Sequence, residues 1–204
     1  MKEPDSNKYC TEWKHPTQIL FGPGRIKEIS LVCYKLGIKH PLLVTDHGLS
    51  ENPIILDVLR RNRDEGVITG FFFDITSNPS YEQILAGIKA FKKSEHDGII
   101  AIGGGSVLDA AKAICLAVSA DTKGIWNFRW NHSHRYAEIP ANVVPIIAVP
   151  STAGTGSEVN ANAVICNPND GSKTSIFHPS LMPKTVIADP DLLRDLPLPL
   201  RVST

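Results

Sequence analysis

The chain has 204 residues, 42% hydrophobic and 21% charged, an ordinary globular composition that allows one large domain or two small ones. Its 21 basic and 21 acidic residues cancel, which argues against nucleic acid or an anionic membrane surface as a partner, and no apolar run approaches the ~18 residues of a membrane span. Cys10, Cys33, Cys115 and Cys166 form no C-x-x-C pair and the polar start MKEPDSNKYCTEWKHP has no secretory h-region, so a reducing cytoplasmic setting is expected.

Short apolar runs alternate with helical patterns along the chain, the signature of a parallel sheet covered by helices. TQILFG (17–22) reads as a strand ended by Gly-Pro-Gly, and residues 25–36 as a helix closed by Gly37. PLLVTD (41–46) is a second strand and 52–63 a second helix. ITGFFFDI (68–75) reads as a strand, Asn78-Pro79 as a turn, and Ser80 as the N-cap of a helix over Tyr81–Lys93. GIIAIG (98–103) is wholly apolar, as expected deep in a parallel sheet, and a helix follows over 107–119. Within it, Cys115 reads as a small buried hydrophobe.

Residues 121–142 show no clean periodicity and read as an irregular excursion, whereas PIIAVP (145–150) is again a buried strand. EVNANAVICNPNDGSKTSIF then alternates around Asn-Asp-Gly, which predicts an antiparallel hairpin appended to the parallel sheet. KTVIADP (184–190) is one more strand. The fold class is therefore α/β, a Rossmann-like parallel sheet covered by helices, with an added hairpin.

Two loops carry the chemistry. In AIGGGSVLDAAKA, three glycines join a strand to a helix at the carboxyl edge of the sheet, where free N–H groups and the positive end of the helix dipole favour phosphate. Ser106 and Asp109 fit an S-x-x-D capping box for that helix. Neither the phosphate-loop pattern nor G-x-G-x-x-G is present. Asp46, at the end of its strand, is placed to accept hydrogen bonds from the hydroxyls of an adenosine ribose, or to cap the following turn.

The second loop, PSTAGTGSE (150–158), offers the hydroxyls of Ser151, Thr152, Thr155 and Ser157, with Gly154 and Gly156 permitting close backbone approach. Lys173 lies beyond the hairpin turn, either at the site or simply solvated. His15, His40, His47, His96, His132, His134 and His178 form no helix-spaced metal pair; the closest approach to one is the H-x-H of His132 and His134.

Together FGPG (21–24), VTD (44–46), NP (78–79), IGGGSVLDAAKA (102–113), PIIAVPSTAGTGSEV (145–159) and IADPDLL (187–193) resemble the iron-containing (group III) alcohol dehydrogenase family, in order and spacing, over nearly the whole chain. The resemblance implies a modified Rossmann domain, normally followed by an all-helical domain, with NAD (or NADP) bound between them. It implies that Gly104, Gly105 and Ser106 contact the pyrophosphate and Asp46 the adenosine ribose. It further implies that Asp109, Ser151, Thr152, Thr155 and Lys173 line the rest of the cofactor site, with Asn162 near the nicotinamide. Asp46 points to NAD over NADP. The early strand implies pairing between subunits, hence a homodimer.

The family's metal ligands, an aspartate and three histidines, follow the DP motif, and no histidine of this chain matches one. Residues 1–204 are therefore expected to form a single dinucleotide-binding domain, with the helical domain that holds iron or another divalent metal absent. The implied activity of the full-length enzyme is interconversion of a small alcohol with its aldehyde or ketone. These residues alone are expected to bind the dinucleotide weakly without turnover. The alternatives are a dehydroquinate-synthase-type lyase domain, which the second loop fits less well, and a non-catalytic nucleotide-binding module.

Overall fold

Apolar runs short enough for strands and free of polar alternation need cover on both faces, and the architecture provides it. The computed structural model describes residues 15–120, 124–129, 143–194 and 196–199. In chain order the strands are β1 (Gln18–Phe21), β2 (Pro41–Val44), β3 (Gly70–Phe72), β4 (Gly98–Gly103), β5 (Ile146–Pro150), β6 (Asn162–Cys166), β7 (Lys173–Phe177) and β8 (Thr185–Ala188). The helices are α1 (Ile29–Lys35), α2 (Pro53–Asp64), α3 (Tyr81–Lys93) and α4 (Gly105–Ser119).

Six strands form one parallel sheet in the order β1-β8-β5-β4-β2-β3. Successive side chains alternate between its faces. Leu42, Val44, Ile99, Ala101, Ile146 and Ala148 join a core with α3 and α4, whereas Leu43, Ile100, Ile102, Ile147 and Val149 join one with α1 and α2. Cys115 is fully buried in the first of these cores, and burial pushes its thiol up to about 12.

Local signals account for several boundaries. Ser80 and Gln83 form a reciprocal capping box at the start of α3, and Asn52 caps α2 through the Ile54 N–H. Gly37 closes the end of α1 at φ +73.

Four expectations are corrected. The strand expected over 68–75 shrinks to β3, which lies at the sheet edge and, among the described residues, pairs only with β2. The helix expected over 25–36 opens with a 3₁₀ turn over Arg25–Glu28, because the Asp189 carboxylate accepts from the N–H groups of Gly24 and Ile26. The helix expected from residue 107 starts two residues earlier, with the N–H groups of Val107 and Leu108 both bonded to the Gly104 carbonyl. The hairpin β6–β7 is antiparallel as expected but forms a sheet of its own, its Ala163, Ile165 and Ile176 packed in the α4 core.

Of the excursion over 121–142, residues Ile125–Phe128 form a 3₁₀ turn with Ile125 and Phe128 buried and the Trp126 ring tilted against Tyr81. His132 and His134 lie outside the described residues. No helix among those described is long and apolar enough to cross a membrane.

Candidate functional site

The strand order creates the site. From β2 the chain steps outward to β3, then returns past β2 to β4 and continues the other way to β5 and β8. The loops after β2 and β4 therefore diverge, leaving a crevice at the carboxyl ends of the strands, the usual ligand position in an open α/β sheet. A cleft of about 760 Å³ lies there, bounded by Asp46, Gly104, Gly105, Ser106, Thr152 and Thr155, with Leu192, Leu196 and Pro197 along another side.

The three glycines have different reasons. A Cβ on Gly103 would meet the Val107 side chain at 2.6 Å, and one on Gly105 would meet Thr155 Cγ2 at 2.8 Å. Both are glycine because the protein packs against itself there. Gly104 is different: its nearest neighbour would be Thr152 at 3.4 Å, ordinary contact, and it faces the cleft. It is also the N-cap of α4, in an extended conformation and without a side-chain cap. The first N–H groups of α4 have no intrahelical carbonyl to bond, and the helix dipole adds partial positive charge.

The expected Ser106–Asp109 capping box does not form. The helix starts at Gly105, so Ser106 is already inside it, and its hydroxyl accepts from the Asn78 N–H at 3.3 Å. Asp109 instead turns to the hairpin, accepting from the Val164 N–H at 3.0 Å.

Asp46 caps its own turn and also reaches the cleft. Its Oδ1 accepts from the Leu49 N–H at 3.0 Å, capping the turn, while the half-buried carboxylate lines the cleft. Next to it His47 lies 3.3 Å from Asp74 and edge-on to Phe73, forming a rim. Across the cleft the Ser151 N–H bonds the Gly103 carbonyl at 2.9 Å, fastening the second loop to the first. Thr152 Oγ1 is buried without a hydrogen-bond partner among the described residues, a polar group in the cleft wall that a ligand can satisfy.

Asp109, Asn162 and Lys173 are not brought to the cleft lining. Lys173 is exposed at the start of β7, opposite Cys166. Asn162 begins β6, and its carbonyl accepts from Lys112 Nζ at 2.8 Å. Lys112 is 1% exposed and also donates to Asn160 Oδ1 at 2.9 Å; its ammonium lies 3.7 Å from Asp109 Oδ1. Burial raises the Asp109 carboxyl above the usual carboxylate range and pushes the Lys112 ammonium down to about 8.

Sequence reasoning missed Lys112, His47, and the Thr76–Ser77 pair that also lines the cleft. For Lys112 a signal existed: a lysine inside the apolar run DAAKAICLA has no solvent face on a helix. Among the described residues no three His, Cys, Asp or Glu side chains gather to hold a metal ion. Those residues do not fit a metal centre.

The profile of the iron-containing alcohol dehydrogenases matches residues 16–190. The chain is 34% identical over 190 residues to 4-hydroxybutyrate dehydrogenase of Cupriavidus necator, covering 92% of this chain and 48% of that protein. It is 32% identical to the NAD-dependent methanol dehydrogenase of Bacillus methanolicus, over 93% of this chain and 48% of that one. The fold superposes on the crystal structure of sulfoacetaldehyde reductase from Bifidobacterium kashiwanohense in complex with NAD+, with a TM-score of 0.82 and 28% identity, covering 93% of this chain and 48% of that one. The chain thus spans about half the length of the curated relatives it matches. With a switch-point cleft lined by a glycine loop and a hydroxyl loop, and a match that runs through both, the chain belongs to the iron-containing alcohol dehydrogenase family.

Proposed function

We propose that these residues form the dinucleotide-binding part of an oxidoreductase that interconverts a small alcohol and its aldehyde or ketone. The observation that carries the reading is the open helix start at Gly104–Ser106, facing a cleft that also holds Asp46 and the unpartnered Thr152 hydroxyl. An N–H-rich, positively polarised helix end suits a pyrophosphate. Asp46 keeps one carboxylate oxygen on its own turn and offers the other to the adenosine ribose, favouring NAD, since a 2′-phosphate would meet its charge. Thr152 and Thr155 supply hydroxyls to the remainder of the dinucleotide. When bound, its nicotinamide supplies hydride transfer.

Asn162 and Lys173 stand on the hairpin rather than at the cleft, so any contact they make is with the far end of the ligand. The described residues offer no metal ligand set, so no step is drawn through a metal. The substrate groups of the reaction are assigned to the half of the relatives that this chain does not match. The free thiols of Cys33, Cys115 and Cys166 suit a reducing cytoplasm, and the edge strand β1, with Ile19 and Phe21 exposed, suits pairing in a homodimer.

Calorimetry with NAD, NADP and buffer alone tests the reading. Saturable NAD binding, weakened by Gly104→Ala, is expected; no heat at millimolar NAD would overturn it.

A further inference from the structure

The hydroxyl loop is anchored by a charge that never reaches the cleft. Lys112 is buried on α4, and its Nζ donates to Asn160 Oδ1 and to the Asn162 carbonyl, at 2.9 and 2.8 Å. Asn160 relays this contact in two directions. Its Nδ2 donates to the Gly156 carbonyl at 3.0 Å, and its Oδ1 also accepts from the Asn162 N–H at 2.9 Å. Gly156, at φ +66, is the left-handed residue that turns the loop directly after Thr155. Thr155 in turn packs on Gly105, where even a methyl group would collide with it. One ammonium thus fixes, through one amide, the placement of the loop against the glycine turn.

That ammonium carries a desolvation cost which an apolar side chain of similar length would avoid. The carboxylates facing it are imperfect partners: Asp109 Oδ1 at 3.7 Å, and Glu158, whose Oε2 is buried without a hydrogen-bond partner among the described residues. Packing alone does not explain a lysine here; the two directed hydrogen bonds to the loop exit do. Asp46 belongs to a different loop, after β2, outside this network.

We propose that Lys112 is a positioning residue for the dinucleotide, holding through Asn160 the loop that presents Thr152 and Thr155 to the pyrophosphate and nicotinamide half of the ligand. The inference rests on the dinucleotide reading of the cleft. Because the adenosine half is held from the Asp46 side, loosening the loop weakens binding of NAD and leaves binding of AMP as it was. A general loss of fold would weaken both.

The test is calorimetry of the 204-residue chain with NAD and with AMP, for the parent, Lys112→Met, Asn160→Ala and the double variant. The expected result is an NAD affinity about tenfold lower in each single variant, AMP affinity unchanged, and a double variant no weaker than Lys112→Met, since both act along one path. Unchanged NAD affinity in the single variants overturns the inference, and so does a loss shared equally by NAD and AMP. Should Lys112→Met fail to fold, Asn160→Ala decides by the same pair of ligands. A parent chain that binds neither ligand overturns the dinucleotide reading itself, a result separate from one in which the parent binds NAD and the variants do too.

Discussion

Asp189 holds Gly24 across 165 residues of chain: its Oδ1 accepts from the Gly24 N–H at 3.0 Å and its Oδ2 from the Ile26 N–H at 3.0 Å. The same Oδ1 also accepts from the Asp191 N–H at 3.0 Å, and the residue is 2% exposed. One carboxylate therefore caps the 3₁₀ turns over Arg25–Glu28 and Pro190–Leu193, joining the end of β1 to the end of β8. Asp189→Ala would leave three N–H groups without their acceptor, so a loss of about 2–4 kcal/mol in urea unfolding is expected. Asp189→Asn retains one acceptor and should lose less.

Asp46 is expected to govern the choice between NAD and NADP. Asp46→Gly removes the charge that a 2′-phosphate would meet, so the preference for NAD should narrow by about tenfold or more, mostly through tighter NADP. Calorimetric dissociation constants for both dinucleotides check this. An unchanged ratio would remove Asp46 from the specificity argument.

The glycines divide by what an added methyl would meet, and two alanine variants should separate packing from the proposed ligand role. Gly105→Ala drives a methyl into Thr155 and is expected to lose about 1–3 kcal/mol of stability, partly restored by adding Thr155→Ala. Gly104→Ala places its methyl at ordinary contact distance from Thr152, at a φ of −75° that alanine adopts freely. Its unfolding midpoint should stay near the parent value while NAD affinity falls, because the methyl projects where the ligand must approach.

Much of this was legible in the sequence wherever the signal was local. The Ser80 N-cap, the Gly37 cap and the wholly apolar β4 and β5 needed no knowledge of distant residues. Two misreadings share one cause, a partner far along the chain. Ser106 and Asp109 have the spacing of a capping box, but Val164, 55 residues past Asp109, takes the carboxylate. The 3₁₀ opening at Arg25 depends on Asp189, and β3 lies at the edge of the sheet, with no strand beyond it among the described residues. FGPG and IADPDLL served only as separate family markers, although their backbone and carboxylate meet directly. Motif position alone points Asp109 to the cofactor site; in the fold its oxygens face the hairpin and Lys112.

The buried lysine also sets a pH dependence of stability. Burial lowers Lys112 from its ordinary value of 10.5 to about 8. Between those values the unfolded chain holds a proton that the folded chain has released, so this group makes stability rise with pH. Its contribution is fully present above the unfolded value and is lost as pH falls through about 8. The slope is at most about 1.4 kcal/mol per pH unit. Cys33 and Cys115 act in the opposite sense, since burial raises both thiols to about 12 and the folded state then keeps protons the unfolded state loses. Comparison with Lys112→Met cancels the cysteines. In urea unfolding at pH 7.5, 8.5 and 9.5, the parent should gain stability relative to Lys112→Met by about 1 kcal/mol or more across the series. A difference that stays flat would mean that the ammonium keeps its proton throughout, held by Asp109 and Glu158 more strongly than burial opposes it.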